Sequence, residues 1–367
     1  MDLRSLEYTR EHYNRHSNQF ENRSDAIRAR NAGPGAPLKR FHNDIKRKLI
    51  NRYAYQASSL LDLACGRGGD IWKWIDAGIG RVRGVDLSPH EIEEARRRAQ
   101  EAEAKAGGRC VMSFAATPML GVQDWWDEGE EGEEEAGGGE EEYDAVTCMF
   151  AIHYFFVSEQ ALLQFLKNVS RHLKVGGHFF GTVPDGKRVV AAIARGGKRG
   201  RFESPLLTLE ARWTGPPACF GSPYVCAIGD TVTDGSGTGT EGSLEYLVYS
   251  NVLLALAKSV GLEPVYDIDA PNSGLERAFD PNDAHALLKH FDPHFPRSDP
   301  SLEDASRLFA AFCFVKTRDW EGWGEREEKR KRRANDRANQ DHRANDASRL
   351  AAAPGAFKRP PARRRRV

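Results

Sequence analysis

Residues 60–70 read Leu60-Leu61-Asp62-Leu63-Ala64-Cys65-Gly66-Arg67-Gly68-Gly69-Asp70, a short apolar run that ends in a glycine-dense turn. Leu60 to Leu63 are expected to form a buried strand, and the glycines to permit a tight turn in which the backbone closely approaches a ligand. A second apolar strand, Val82 to Val85, ends in Asp86, about 20 residues beyond the turn, where a carboxylate can take both hydroxyls of a ribose. The turn lacks the third glycine of the dinucleotide pattern, so a pyrophosphate is not the expected ligand.

Outward from this turn, strands and helices alternate. Strands are expected at 59–64, 81–86, 109–115, 144–149 and 178–183, and helices at 69–77, 89–105 and 159–173. This order implies an α/β fold with a doubly wound, mostly parallel sheet. Residues 185–243, rich in Gly, Thr and basic residues, read as an inserted lobe of short strands. A strand at 244–249, a helix at 250–260 and strands at 263–268 and 309–316 are expected to complete the sheet. Upstream, Gly33-Pro34-Gly35-Ala36-Pro37 marks a break before a helix over 38–52, whose Leu38, Phe41, Ile45, Leu49 and Ile50 recur near helical spacing. The chain thus divides into an N-terminal helical segment (1–58), a main domain (59–318) and a basic tail (319–367).

The formal charge is zero over 367 residues, but the average conceals segregation. Residues 127–142 are acidic without a single Lys or Arg. Residues 329–367 carry fourteen Lys or Arg against three Asp, a local net of plus eleven. Both segments have too little to bury and are expected to be disordered. The six cysteines form no Cys-x-x-Cys pair, so neither a zinc site nor a disulfide framework is suggested. Reduced thiols fit an intracellular chain. No stretch approaches the length of a membrane span, and the N-terminus has no apolar signal core.

A glycine turn without the dinucleotide spacing, followed by an acid on the second strand, suits S-adenosylmethionine. That ligand offers a ribose to Asp86 and no phosphate. Asp62 and Asp70 would face its ammonium or sulfonium, with the backbone of Ala64 and Gly66 alongside. Strand termination by Asp62 and helix capping by Asp86 are the structural alternatives. A second constellation, Phe150-Ala151-Ile152-His153-Tyr154-Phe155-Phe156, follows the fourth strand, where open α/β sheets place their ligands. Its rings could stack on a planar base and His153 could hydrogen-bond to it. Core packing is the alternative, above all for Phe155 and Phe156.

These residues carry a resemblance to the messenger RNA cap (guanine-N7) methyltransferases. The matching strings are His12-Tyr13-Asn14, Leu38 to Lys46, Leu61 to Asp70, Ala77-Gly78-Ile79-Gly80, Gly84-Val85-Asp86, Phe150 to Tyr154, Leu173-Lys174-Val175-Gly176-Gly177, Gly181-Thr182-Val183-Pro184 and Leu244-Glu245-Tyr246-Leu247-Val248. They cover roughly residues 10–317. The glycine strings recur in many methyltransferases, whereas the aromatic-His-Tyr and Glu-Tyr strings in this order are far more specific.

The resemblance implies a site with two sides. On the cofactor side stand Lys46, at the carboxylate of S-adenosylmethionine, with Asp62, Ala64, Gly66, Asp70, Asp86, Met149 and Tyr154. On the cap side stand Asn43, Phe150, His153, Tyr154, Pro184, Glu245 and Phe309, with Arg67, Lys73 and Arg98 toward the triphosphate bridge. Glu245 would accept hydrogen bonds from the Watson-Crick edge of guanine, and no residue is assigned as acid or base. The chain departs from the family pattern at His42 (an asparagine is usual), Ala64 (glycine), Met149 (glutamine) and Phe309 (tyrosine), and it lacks an acid around Thr117. Capped RNA is the implied partner, other capping enzymes or the RNA polymerase machinery are further candidates, and a monomer in the nucleus is expected. Two rivals stay open: a methyltransferase of a small metabolite, and a non-catalytic RNA-binding scaffold.

Overall fold

A computed structural model describes residues 33–125, 142–196, 200–229, 242–295 and 300–320. The acidic run other than Glu142, the tail beyond Trp320 and the His12-Tyr13-Asn14 string lie outside the described residues.

Strand β1 (Ser59–Leu63) is buried at every position. It has a parallel neighbour on each side, β2 (Arg81–Asp86) and β4 (Tyr143–Met149). A strand covered on both faces and both edges must be apolar throughout, which is why this run lacks alternation. The main sheet runs β10-β12-β5-β4-β1-β2-β3, with β3 spanning Val111–Ala116, β5 Leu173–Pro184, β10 Leu262–Pro264 and β12 Phe309–Lys316. β12 and β10 are antiparallel additions, and the short β11 (Lys289–His290) also pairs with β12. The winding reverses at β1, with β2 and β3 on one side and β4 and β5 on the other. The carboxyl end of that switch point is where ligands enter such sheets.

Helix α1 (Ala36–Ala54) buries Leu38, His42, Ile45 and Leu49, one face of a helix opened by Pro37. α2 (Ile71–Asp76) follows the glycine turn. α3 (Pro89–Ala106) begins at Ser88, whose side chain accepts from the Glu91 N–H, and ends at Gly107 in the left-handed region. Such a cap stabilises by about 1 kcal/mol. α4 (Glu159–His172) packs with Phe165 and Leu166 against the other face of the sheet.

The lobe departs from expectation in two ways. It opens with a helix, α5 (Gly186–Arg195), and then builds its own antiparallel sheet from β6 (Arg201–Glu203), β7 (Leu207–Ala211), β8 (Pro223–Ile228) and β9 (Ser243–Tyr246). The strand expected at 244–249 to complete the main sheet is β9, which pairs with β8 instead. It returns the chain to α6 (Ser250–Ser259). A short helix, α7 (Pro300–Ser306), precedes β12. Among the described residues no helix is long and apolar enough to cross a membrane.

Candidate active site

A cavity of about 290 Å³ opens at the switch point, bounded by the ends of β1, β2 and β4. Lys46, Asp62, Ala64, Gly66, Asp70, Asp86, Met149, Phe150 and Tyr154 all line it. Gly66 has φ +53 and its N–H donates to Asp86 Oδ2 at 2.8 Å. The Ser88 N–H donates to Asp86 Oδ1 at 2.9 Å. Asp86 therefore ties two loops together, while Ser88 takes the capping role that Asp86 was offered as an alternative. Burial pushes Asp86 up to about 6, the backbone donors partly offsetting it. Asp62 lies in register with Thr147 on β4, whose hydroxyl donates to Asp62 Oδ1 at 2.6 Å. Burial, then the neighbouring charge of Asp70, pushes Asp62 up to about 7.

Asp70 joins the two lysines. Lys46 Nζ and Lys73 Nζ each stand 2.7 Å from its Oδ1. Burial disfavours this carboxylate, but the two ammonium groups outweigh it and hold Asp70 down at about 2. Lys46 also reaches Oδ2 at 2.9 Å. The contacts to Oδ1 are ion pairs without hydrogen-bond geometry, so of its three N–H donors Lys46 commits one, to Oδ2, and keeps others for a ligand carboxylate.

The other side of the site begins at Phe150, whose φ of +58 is unusual for a bulky residue. Its N–H is held by Thr182, through the carbonyl at 2.9 Å and the hydroxyl at 3.1 Å. His42 stacks on its ring at 5.3 Å between centroids and Phe309 meets it edge-on at 5.1 Å. Burial, then the charge of Lys46, lowers His42 to about 3, and its Nε2 pairs with Ser306 Oγ at 3.0 Å. The histidine at this position is thus a neutral ring packed against Phe150 and does not itself line the cavity. Pro184 is the register partner of Phe309.

A 3-10 helix, Ile152–Val157, carries His153 and Tyr154. Tyr154 Oη lies 3.0 Å from Ser243 Oγ on β9. His153 Nε2 lies 3.9 Å from Glu245 Oε1, beyond hydrogen-bond reach. Both side chains are buried, at 3% and 4% exposure. Neither ring nitrogen of His153 has a hydrogen-bond partner among the described residues. Burial lowers His153 to about 3 and pushes Glu245 up to about 7, against the opposing bond from Tyr224. The Tyr224 hydroxyl donates to Glu245 Oε2 at 2.6 Å.

A model of the mRNA (guanine-N(7))-methyltransferase domain matches residues 4–334. This chain belongs to that family. It is 32% identical over 264 residues to mRNA cap guanine-N(7) methyltransferase 1 of Arabidopsis thaliana, covering 70% of this chain and 65% of that relative. It is 29% identical to the mRNA cap guanine-N(7) methyltransferase of Saccharomyces cerevisiae over 85% of this chain and 70% of that one. The corresponding protein of Schizosaccharomyces pombe is 31% identical over 69% of this chain and 70% of its own length. Among solved structures, the CcbJ methyltransferase of Streptomyces caelestis is similar at 15% identity and a TM-score of 0.45, covering 79% of this chain and 96% of that chain. That match is too loose to bear on the site.

Membership in the cap methyltransferase family carries an S-adenosylmethionine-dependent methyltransferase fold, and the cavity suits that cofactor. Asp86 would meet a ribose, Lys46 would reach a carboxylate, and Leu87, Pro118, Leu120 and Phe155, which also line the cavity, would offer an apolar end to an adenine. Of the ten positions assigned to the cap, Arg67, Phe150 and Tyr154 line the cavity, whereas His153, Pro184, Glu245 and Phe309 do not, nor do Asn43, Lys73 and Arg98. Asn43 is exposed on α1 and does not line the cavity. Lys73 is 5% exposed, with its ammonium on Asp70 and on the Gly69 carbonyl at 3.1 Å, so it braces the turn instead of meeting phosphates. Arg98 lies off the cavity and is paired with Glu94 at 2.6 Å. Arg67 does line the cavity, but Glu91 holds it through two bonds, at 3.0 and 2.8 Å. Glu91, Thr147, Phe155 and Tyr224 were not foreseen as site residues. Ser88-x-x-Glu91 reads as a capping box, which would send Glu91 to the Ser88 N–H, but that N–H goes to Asp86 and Glu91 holds Arg67.

Proposed function

We propose that this chain methylates the seventh nitrogen of the terminal guanine of capped RNA. The observation that carries the reading is the buried pair of His153, inside the aromatic run Phe150 to Phe156, and Glu245 on β9, in a chain whose family match spans residues 4–334. When bound, S-adenosylmethionine supplies an electrophilic methyl group on a sulfonium. Asp86 takes the ribose hydroxyls, Lys46 the carboxylate, and Asp62 and Asp70 set the field at the methionine end. Phe150, Tyr154, Pro184 and Phe309 wall in the base, and the ionised Glu245 accepts from its Watson-Crick edge. The guanine nitrogen would take the methyl through a lone pair that bears no proton, in line with the methyl–sulfur bond, which breaks and leaves its electrons on a neutral thioether, so no residue serves as general base. Alignment and a preorganised electrostatic environment supply the rate.

The test is methylation of capped RNA with labelled cofactor, followed by digestion to locate the label. Label on the guanine seventh nitrogen is expected, also with a free cap dinucleotide. Cofactor binding without transfer to any cap would overturn the reading in favour of a small-metabolite enzyme. The basic tail adds salt-dependent attraction to RNA and a nuclear address. Deleting residues 320–367 should weaken RNA binding most at low salt and release the chain from the nucleus. Unchanged affinity and location would leave the tail without a partner.

A further inference from the structure

Tyr224 and Glu245 face each other directly across the antiparallel pair β8 and β9. Opposite residues in such a pair project from the same face of their sheet, which is why the hydroxyl and the carboxylate meet. The resulting bond is short, 2.6 Å, and Tyr224 is 1% exposed, so water does not compete for it. The bond engages Oε2, whereas Oε1 is the oxygen 3.9 Å from His153 Nε2. Holding one oxygen fixes the rotation of the carboxylate about its last bond, and with it the direction of the free lone pairs.

We infer that Tyr224 is a positioning residue for base specificity: by holding Oε2 it presents Oε1 and the remaining lone pair of Oε2 as a fixed double acceptor for two adjacent N–H donors. The inference rests on the reading that Glu245 receives the guanine edge. Guanine offers that pair of donors at its ring nitrogen and exocyclic amine. Hypoxanthine lacks the amine and loses one bond, and adenine brings an acceptor against an acceptor. Tyr224 also acts on charge, because its bond opposes the burial that favours neutral Glu245. The titratable groups around the pair are Tyr224 and Cys226 from β8 and His153 and Tyr154 from the 3-10 helix. Burial keeps His153 neutral by lowering it, and keeps Tyr224 and Cys226 neutral by raising them, so none supplies a counter-charge.

Tyr224→Phe, which preserves shape, tests this in steady-state assays on guanosine- and inosine-capped RNA across pH. The KM for guanosine-capped RNA should rise roughly ten- to hundredfold, the scale of one bond to a charged group. At saturating RNA, kcat should change little. The preference for guanosine over inosine caps should shrink, and the acidic limb of kcat/KM should move to higher pH. Calorimetry with S-adenosylhomocysteine should give wild-type affinity. Unchanged cap KM and pH limb, or an equal loss of cofactor affinity marking general damage, would overturn the inference. Glu245→Gln run in parallel separates the two readings. If it leaves the cap KM unchanged, the guanine assignment itself fails. If it raises the KM while Tyr224→Phe does not, only the role of Tyr224 falls. In the double variant the loss should not exceed that of Glu245→Gln, and additive losses would count against coupling.

Discussion

The cofactor half and the proposed guanine half of the site satisfy their buried polar groups in opposite ways. In the first, Asp70 holds two ammonium groups, Asp86 two backbone donors, Asp62 a threonine hydroxyl and Glu91 a bidentate arginine. In the second, His153 is buried with neither ring nitrogen bonded among the described residues, and Glu245 is held at one oxygen only. A buried polar atom without a partner costs about 1–3 kcal/mol, so native structures keep few of them. The two nitrogens of His153 are of this kind, and a ligand could partner them; in the cofactor half Asp70 Oδ1 also lacks a hydrogen-bond partner among the described residues, but two ammonium groups stand beside it. The cofactor half is instead preorganised by the protein's own bonds. Changes there should disturb fold and binding together, and changes in the guanine half should cost function with little loss of stability.

The severest way to break this contrast is Glu245→Ala. It removes the acceptor of two donors, and kcat/KM on capped RNA should fall by more than about a hundredfold. The affinity for S-adenosylhomocysteine should stay close to wild type, and the melting temperature should fall only by the few degrees that the orphaned Tyr224 hydroxyl costs. Full activity on capped RNA would sink the guanine assignment. In the other half, Asp70→Asn leaves Lys46 and Lys73 buried against each other without their counter-charge. Removing one member of such a pair costs about 3 kcal/mol, and the melting temperature should drop by roughly 6 °C or more, along with cofactor affinity. A variant that lost cofactor binding at unchanged stability would erase the difference between the halves.

The halves should also part company in their pH dependence. Glu245 must be ionised to accept from the base and is pushed by burial to about 7, so kcat/KM for the cap should fall about tenfold from pH 8 to pH 6. Cofactor affinity should weaken over a broader range, as Asp62 gains its proton near pH 7 and Asp86 near pH 6. Stability runs the other way for Glu245. Its folded value lies above the ordinary 4.5, so its contribution is fully present below that ordinary value and is lost as pH rises through about 7. Asp70 has the opposite sign. It is held at about 2 against an ordinary 3.8, so its contribution is present above the ordinary value and lost as pH falls through about 2. Kinetic and melting profiles recorded on the same samples would separate these effects, and a flat cap profile between pH 6 and 8 would contradict the burial assigned to Glu245.

The cofactor half was largely legible because its signals are local. A buried strand, a glycine turn and an acid at the next strand end fall within one stretch of sequence. β12 was legible at 309–316 for the same reason, as an apolar run of strand length. What escaped depends on partners far along the chain. β9 was foreseen as a strand, but nothing in its own residues says that it pairs with β8 and not with the main sheet. The apolar run Ile152 to Val157 has no period, so its 3-10 helix could not be read. α5 falls in a segment expected to be short strands, although Val189, Ala192 and Ile193 sit at helical spacing after a capping Asp185. The basic residues misled for another reason. Charge in a sequence does not reveal burial, and Lys73 lies under the turn it was expected to reach out from.

The smallest effect concerns Ala64, at the seam between the halves. It adopts φ +61, in the left-handed region, with the next residue's N–H fixed to the Val85 carbonyl at 3.0 Å. That conformation costs an L-residue about 1–2 kcal/mol and costs glycine almost nothing. Ala64→Gly removes the strain but gives the unfolded chain more freedom, which returns about 0.4–1 kcal/mol of the gain. The net should be a stabilisation of about 1 kcal/mol or less, a rise of roughly 2 °C in melting temperature. A fall would contradict the strain. The KM for S-adenosylmethionine decides what the strain is for. If it is unchanged, the turn is held by its neighbours, chiefly the Gly66 to Asp86 bond, and the alanine methyl is incidental. If it rises while stability rises too, then the side chain that strains the turn also keeps it in the binding conformation, and preorganisation of the cofactor half extends to its backbone.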